Sequence, residues 1–376
     1  MKSISSNNLN LNDLKDQRLD LTNKFMKANG VDILVAVSTD SIQNRGNVRF
    51  LTNYPTIYGS SLSVVKSDED PILFVPAGSF QVGWAQRTVW TKEIRAVQDF
   101  ASAVGNILEE LKTEIGAVGL VGFEFMPGSL MTQITSPFQD INFVDLSSSF
   151  RLMKAVKSEP EIDMARKSVS LADDVFANLV KSTNVGTSEN EIFAQASYDL
   201  NLGGAEDYFF LGSTNPQTVM SYPAERAINN GDLIRFSIEP ASRGGFWTQT
   251  IRTFSVGKPS EEAQATFDLC KAALLIASEE IKPGKRGGGI TDSMIKVLKQ
   301  VKGGEIGPLG HGMGLDLVEP PLMLPQDETV IEPGMIIAIH PSFTWKNIHI
   351  WIGDTFLVTE SGVENLSIYP NELQIL

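Results

Sequence analysis

The chain has 376 residues, of which 42% are hydrophobic and 20% charged, and its formal net charge is -14. The length predicts two domains, because a single hydrophobic core rarely grows beyond about 250–300 residues. The negative charge, without a cluster of Lys and Arg, argues against a nucleic-acid-binding protein, since such binding depends on neutralising phosphates. The sequence also has no apolar run of ~20 residues, the length that a membrane span needs. We therefore expect a cytoplasmic protein with no nucleic-acid or membrane partner.

The first part of the chain alternates helical and β-rich patterns. A helical pattern from about residue 14 ends at Gly30, a residue type suited to a helix C-cap. The patterns that follow are β-rich runs at 31–37, 48–51, 61–66 and 72–75, a helix at 101–114, a β-rich run at 118–125, a helix from residue 129 and a strand at 141–144. Alternating strands and helices predict an α/β domain with a mixed sheet.

The pattern changes between residues 147 and 160, where a second domain is predicted to begin. Ser158 is a suitable N-cap for a long amphipathic helix that runs to about residue 181. Ser188 and Glu191 have the spacing of a capping box for the next helix. Two further helices are predicted at 260–281 and 291–299. The predicted domains are residues 1–152 and 153–376.

Residues 231–256 have the pattern of a β-hairpin. Two apolar-rich runs, 233–238 and 246–256, flank a segment that contains Gly244-Gly245. Side chains alternate between the two faces of a strand, so Ser237 and Glu239 share one face of the first strand, and Trp247, Gln249 and Ile251 share one face of the second. Polar side chains that face inward on paired strands predict a site. The single cysteine, Cys270, is predicted to be a buried structural thiol.

The hairpin resembles the first metal-binding hairpin of the creatinase/prolidase/aminopeptidase P family. Gly231-Asp232, Gly244-Gly245 and Arg252-Thr253 match the frame of that motif, and residues 47–54 resemble a phrase common in the N-terminal domain of the family. The resemblance implies an α/β (α+β) fold, with an N-terminal creatinase-like domain followed by a C-terminal "pita-bread" domain. It also implies a homodimer.

Family members that use metal hold two ions with two aspartates, one histidine and two glutamates. The matching positions in this chain are Ser237, Gln249, His311, His340 and Gly353. Two close divalent ions need bridging carboxylates, because anionic oxygens offset the repulsion between the ions. Since these positions contain no carboxylate, the sequence argues against a dinuclear metallopeptidase. We expect no cofactor and no metal ligand.

Creatinase keeps this fold and works without metal, so the resemblance implies a metal-independent hydrolase of a small-molecule amide, amidine or ring C–N bond. His311 and His340 are the predicted acid–base pair, with Glu239 as the orienting or nucleophilic carboxylate. The sequence argues against creatine itself as the substrate, because Met220 and Ile251 replace two residues of the creatinase pocket. The predicted substrate-binding residues are Ser237, Gln249, Trp247, Met220, Arg252 and Glu319.

Two alternatives stay open at this point. The chain could be a catalytically inactive relative that is kept for binding or assembly, or a mononuclear-metal enzyme in which Gln249 or Glu239 joins His311 and His340. Several side chains also have structural interpretations. Gln249 could simply form a hydrogen bond to Ser237, Glu239 could be a surface carboxylate at a strand end, and Arg252 could tie neighbouring backbone together. His349 lies outside any motif and is predicted to be structural.

Overall fold

A computed structural model describes residues 11–112 and 115–376. The chain divides into two compact units, Met1–Lys154 and Ala155–Leu376. Each unit has its own sheets and its own buried apolar clusters.

The first unit is built around a six-stranded sheet with the order β4-β3-β2-β1-β5-β6. Strand β1 pairs antiparallel with β2 and parallel with β5, so the predicted mixed sheet is confirmed. The strands are β1 Ile33–Thr39, β2 Ser60–Lys66, β3 Ile72–Pro76, β4 Glu93–Val97, β5 Ala117–Val121 and β6 Asn142–Asp145. The helices are α1 Leu11–Asn29, α2 Gly46–Thr52, α3 Ser79–Thr88, α4 Phe100–Leu111, α5 Gly128–Thr135 and α6 Ser147–Ala155, with a short 3-10 helix at Phe123–Phe125.

The core of this unit lies between the sheet and α4. The helix turns Val104, Ile107 and Leu108 toward the sheet, where they join buried residues of β1 and β5 in one cluster. Asp99 caps the helix by accepting hydrogen bonds from the backbone N–H groups of Ala101 and Ser102. Helical spacing of apolar residues therefore decides which face of α4 is buried.

Residues 48–51 form a helix, so the β-rich prediction for them is wrong. They lie in α2, whose seven residues are all buried. Asn53 ends the helix in a left-handed conformation with φ 64°, and its N–H donates to the carbonyl of Arg49. The strand preference of Val and Phe reflects packing on a sheet surface, and here burial on all sides outweighs it. Strand β5 also stops earlier than predicted, because Gly122 adopts φ 79° and the 3-10 helix follows.

The helices of the second unit follow the sequence prediction closely. They are α7 Glu159–Ser182, α8 Glu189–Gly203, α9 Glu261–Glu280 and α10 Gly287–Leu298. The predicted N-caps Ser158 and Ser188 are confirmed, and each forms a capping box with the glutamate three residues later. Cys270 is buried in α9, as predicted.

The strands of the second unit form three sheets. One has the order β18-β10-β8-β7, with β9 paired to β8; the others are β11-β14-β15 and β12-β13-β16-β17. The strands are β7 Asp207–Thr214, β8 Leu233–Ser242, β9 Phe246–Trp247, β10 Thr250–Ser255, β11 Glu305–Ile306, β12 Gly310–Gly312, β13 Ile336–Ile339, β14 Ser342–Trp345, β15 Ile348–Trp351, β16 Asp354–Val358, β17 Val363–Asn365 and β18 Gln374–Ile375. Helices α9 and α10 share an apolar cluster with β13 and β16.

The longest described helix, α7, has 24 residues, but its first turn alone contains Glu159 and Glu161. None of the helices in the described ranges is long and apolar enough to cross a membrane.

Candidate functional site

The predicted hairpin is present as β8, β9 and β10. Ser237 pairs with Ile251, and Ala241 pairs with Trp247. This register places Gln249 opposite Glu239, and residues directly opposite each other point to the same face. Every residue of β8 is buried. Glu239 lies inside this strand and is only 3% exposed, which rules out a surface carboxylate.

Three polar side chains of the hairpin form one hydrogen-bonded group. Ser237 Oγ donates to Glu239 Oε1 over 2.6 Å. The amide Nε2 of Gln249 donates to Ser237 Oγ over 3.1 Å and to Glu239 Oε1 over 2.9 Å, so the predicted bond between Gln249 and Ser237 is confirmed. Burial raises the pKa of Glu239 to about 7, although both hydrogen bonds favour the ionised form.

The two histidines of the second unit's antiparallel β12–β13 pair lie side by side. His311 lies in β12, opposite Ala338, and His340 follows directly after β13. Their ring centroids are 5.2 Å apart in an edge-to-face arrangement. Burial lowers the pKa of His311, and it lowers that of His340 to about 3 with a further contribution from His311. Both rings are therefore neutral near pH 7.

Each histidine is also held by a neighbouring group. The ring Nδ1 of His311 lies 3.0 Å from the carbonyl oxygen of Gly312, to which it donates. The indole Nε1 of Trp351 donates to the backbone carbonyl of His340 over 3.0 Å, and the two rings pack edge to face. The position of His340 therefore depends on its contacts with Trp351.

Backbone bonds join the hairpin to the histidine-bearing sheet. Ile251 and Gly353 exchange two backbone hydrogen bonds of 2.9 and 3.0 Å. Thr355 Oγ1 donates to the carbonyl of Gln249 and accepts from its N–H, which places Gln249 against β16. These bonds connect the strand that carries Gln249 to the strand that follows His340. The five side chains Ser237, Glu239, Gln249, His311 and His340 are together called the centre.

Because Gly353 has no side chain, His340 can pack directly against it. A Cβ atom at residue 353 would lie 2.6 Å from His340 Cβ and 2.9 Å from the carbonyl oxygen of Ile339. Contacts this short cannot be relieved by rotating a side chain. The backbone around residue 340 therefore leaves no space for a side chain at residue 353.

We expect Gly353→Ala to destabilise the protein by about 1–3 kcal/mol, the usual cost of overpacking a well-packed site. Urea denaturation followed by circular dichroism would measure the change. Gly362→Ala is a suitable control, because an added Cβ there meets nothing within 4 Å. Equal stabilities of the two variants would contradict the close packing of His340 on Gly353.

Two polar atoms of the centre are buried without a hydrogen-bond partner in the described part of the chain. They are Gln249 Oε1 and His340 Nε2. An unsatisfied buried polar group costs roughly 1–3 kcal/mol, so such atoms require an explanation. One explanation is that a bound ligand satisfies them.

Arg252 has a structural role in the sheet. Its guanidinium forms an ion pair with Asp354 at 2.7 Å and donates to backbone carbonyls, including that of Gly353 at 2.7 Å. The side chain is 1% exposed. The structure therefore uses Arg252 to tie the strands together, which agrees with its structural interpretation.

Glu319 forms a buried ion pair with Lys157, 162 residues away in the sequence. The Nζ–Oε2 distance is 2.5 Å, and the side chains are 2% and 1% exposed. Glu319 Oε1 also accepts from the N–H of Asp316. Lys157 was not singled out from the sequence, because nothing in its neighbourhood indicates so distant a partner.

Two other predicted substrate-binding residues have different surroundings. Trp247 is buried, and its N–H donates to the carbonyl of Gly314 over 2.7 Å. Met220 is half-buried, and its sulfur lies 3.5 Å from Ser213 Oγ on β7. His349 is buried and pairs with Thr344 Oγ1 at 2.8 Å, as expected of a structural residue.

The residues of this centre do not fit a pair of divalent ions. Its polar groups are a hydroxyl, an amide, two imidazoles and one carboxylate, and the carboxylate already accepts two hydrogen bonds at Oε1. Within residues 11–112 and 115–376, no three His, Cys, Asp or Glu side chains are grouped so that they could hold a metal ion. Two imidazoles and an amide also lack the anionic oxygens that divalent pairs require.

Two family models match the chain. Residues 163–360 match "Metallopeptidase family M24", and residues 18–156 match "Creatinase/Prolidase N-terminal domain". Among curated proteins, an Xaa-Pro dipeptidase of Pyrococcus horikoshii is 24% identical over 372 residues, which covers 96% of this chain and 99% of that relative.

Solved structures support the same fold. An X-Pro aminopeptidase from Thermotoga maritima matches with a TM-score of 0.85 at 20% identity, covering 95% of this chain and 99% of that one. The prolidase of Pyrococcus horikoshii matches with a TM-score of 0.81 at 22% identity, with the same coverage. The predicted α/β fold, a creatinase-like domain followed by a pita-bread domain, is confirmed.

The comparisons overturn the predicted function. A metal-independent hydrolase of small-molecule C–N bonds was inferred from creatinase, whereas the relative found is named for Xaa-Pro dipeptides and the family for metallopeptidases. The alternatives of an inactive binding protein and a mononuclear-metal enzyme gain no support from these matches. The absence of carboxylates at the ligand positions does not by itself indicate a different reaction. The first family model spans more than half of the chain, and the chain therefore belongs to metallopeptidase family M24.

Proposed function

We propose that the second unit binds short peptides of the Xaa-Pro type at the centre formed by Ser237, Glu239, Gln249, His311 and His340. The observation that carries this proposal is the pair of buried polar atoms without a partner, Gln249 Oε1 and His340 Nε2. The substrate class comes from the name of the Xaa-Pro dipeptidase relative. A peptide offers both hydrogen-bond donors and acceptors, so it can satisfy an amide oxygen and an imidazole nitrogen together.

The surroundings of these atoms suit such a ligand. Trp351 lies beside His340, with ring centroids 5.6 Å apart, and provides an apolar surface next to a polar atom. Specific ligand sites commonly combine apolar walls with a few placed polar groups. His311 is half-buried and is the member of the centre that reaches solvent. A proline ring could pack on the indole while the peptide's polar groups contact Gln249 and His340.

Isothermal titration calorimetry of the purified chain with Ala-Pro and Pro-Ala tests the proposal. We expect saturable binding of Ala-Pro, and about tenfold weaker binding of Pro-Ala, a difference of ~1.4 kcal/mol. Titrations run in EDTA and in Mn²⁺ would show whether binding depends on metal. Free proline, measured by chromatography in the same samples, reports separately on hydrolysis. The absence of saturable Ala-Pro binding in both buffers would reject the proposal.

The predicted homodimer and cytoplasmic location stay predictions. Sedimentation equilibrium of the purified chain would test the first, and fractionation of cells that express it would test the second. Neither outcome changes the peptide-binding experiment, which uses the full chain in dilute solution.

A further inference from the structure

A cavity of about 370 Å³ lies between the sheet and α4 of the first unit. The uncharged side chains that line it form its floor, and all of them are aliphatic: Ile33, Val64, Ile72, Ile107 and Leu111. Val64 of β2 pairs directly with Ile72 of β3, and paired residues point to the same face of a sheet. Ile107 and Leu111 are four residues apart, so they share one face of α4. The floor is therefore apolar on its sheet side and on its helix side.

Charged side chains line the mouth of the cavity. They are Lys66, Glu69, Asp70 and Glu93. Lys66 of β2 pairs with Ile33, and Glu93 of β4 pairs with Ile72, so both charged residues belong to the sheet face that carries the floor. Strand β3 lies between β2 and β4. A positive and a negative group thus stand on opposite sides of Ile72.

The charges of Lys66 and Glu93 remain accessible to a ligand, because their ion pairs are exposed. Lys66 pairs with Glu69 at 3.0 Å, and these side chains are 36% and 59% exposed. Glu93 pairs with Arg95, and these side chains are 50% and 42% exposed. Solvent screens exposed pairs, so each contributes little stability. A ligand that carries both charges replaces such pairs at little cost.

Asp70 has a structural role at the same mouth. Its carboxylate lies 2.8 Å from the ammonium of Lys15 in α1 and 3.8 Å from that of Lys92. This carboxylate joins α1 to the turn after β2. The charges available to a ligand are therefore those of Lys66, Glu69 and Glu93.

We propose that this cavity binds an aliphatic α-amino acid of the size of leucine. The side chain packs on the floor, the α-carboxylate contacts Lys66 and the α-ammonium contacts Glu93. A volume of about 370 Å³ lies near the lower end of small-molecule sites, ~300–1,000 Å³, which favours a single amino acid over a longer ligand. This site shares no residue with the centre of the second unit, so it goes beyond the proposed function and does not depend on it.

The test is a titration of the full chain, ¹³C-labelled at its isoleucine methyl groups, with L-leucine, isocaproate and leucinamide. Isocaproate lacks the ammonium and leucinamide lacks the carboxylate. We expect L-leucine to shift the Ile33, Ile72 and Ile107 methyl signals saturably, with a Kd of roughly 1 mM, a value typical of so small a ligand. Each analogue should bind about fivefold more weakly, the difference that a screened charge pair supplies.

These signals also separate the proposed site from the peptide-binding proposal, because they report on the first unit alone. Absence of a saturable shift at the three isoleucines up to about 20 mM L-leucine, well above the expected Kd, would overturn the proposal. Equal affinities of the three ligands would overturn it as well, since the charges at the mouth would then not contact the ligand. Neither result bears on the binding of Ala-Pro.

A variant tests the ammonium contact. Glu93→Gln should weaken L-leucine binding about fivefold and abolish its advantage over isocaproate. Glu109→Gln is the matched control, because Glu109 also belongs to an exposed ion pair of the first unit, with Lys112, but does not line the cavity. If Glu93→Gln binds L-leucine as tightly as Glu109→Gln does, the proposed contact is wrong. The comparison of the three ligands on the wild-type chain decides independently of both variants.

Discussion

Replacing Lys157 by methionine should destabilise the second unit by about 3–5 kcal/mol, because the change leaves a buried carboxylate without its partner. Lys157 and Glu319 are 2% and 1% exposed, and they are 2.5 Å apart. Removing one charge of such a pair costs much more than the pair itself contributes, since desolvation of the remaining ion is no longer offset. Equilibrium denaturation in urea would measure the loss as a lower midpoint.

The double variant Lys157→Met, Glu319→Leu should recover most of that stability, because a buried pair replaced by apolar side chains is often close to neutral. Arg166→Met is the matched surface control. Arg166 pairs with Glu364 in the same unit, but both side chains are more than 40% exposed. Exposed pairs contribute only about 0–1 kcal/mol. If Lys157→Met is as stable as Arg166→Met, then removing Lys157 does not impose the expected desolvation cost on the buried carboxylate of Glu319.

Glu239→Gln should change how stability depends on pH. The pKa of Glu239 is about 7 in the folded protein and 4.5 when unperturbed, and burial is the main cause. The folded state holds this proton more tightly, so the carboxyl group contributes stability below pH 4.5 and loses it as the pH rises to about 7. The loss amounts to about 3 kcal/mol at ~1.4 kcal/mol per pH unit. Glutamine does not titrate, so the variant should gain stability relative to wild type over that interval.

The stability of the variant must be compared with that of wild type at each pH, because the histidines change stability with pH in the direction opposite to Glu239. Burial lowers the pKa of His340 from 6.5 to about 3 and that of His349 to about 4. These rings charge more readily in the unfolded chain, so their contribution to stability increases as the pH rises to about 6.5. Subtracting the wild-type curve from the Glu239→Gln curve removes the histidine contribution. If the stability–pH curves of wild type and variant ran parallel between pH 5 and 8, that would contradict a raised pKa at Glu239.

Local sequence signals were sufficient wherever one short segment carries all the information. The capping boxes at Ser158 and Ser188 fixed the starts of α7 and α8, and the glycine pair between two apolar runs indicated the hairpin. Strand alternation also placed Glu239 and Ser237 on one face. These features depend on contacts between residues a few positions apart, and such contacts follow from residue type and spacing.

Local sequence signals failed where a residue's surroundings are formed by residues that are distant in the sequence. Residues 48–51 have strand-forming side chains, yet burial on every side makes them helical. The partner of Glu319 lies 162 residues away, and the unused acceptor of Gln249 becomes evident only when its amide nitrogen is seen to face Glu239. The family-based functional prediction failed for a related reason: the missing carboxylates were visible, but the substrate class was not.

Residue order thus established the two-part α/β architecture, the hairpin and the absence of carboxylates at the five ligand positions, because each can be recognised along a single stretch of chain. Only the tertiary structure determined the raised pKa of Glu239, the packing of His340 on Gly353, and the lack of hydrogen-bond partners at Gln249 Oε1 and His340 Nε2. Those properties arise from desolvation and from contacts between distant segments. Desolvation and long-range contacts arise only when the sheets of the second unit have formed and buried these polar side chains.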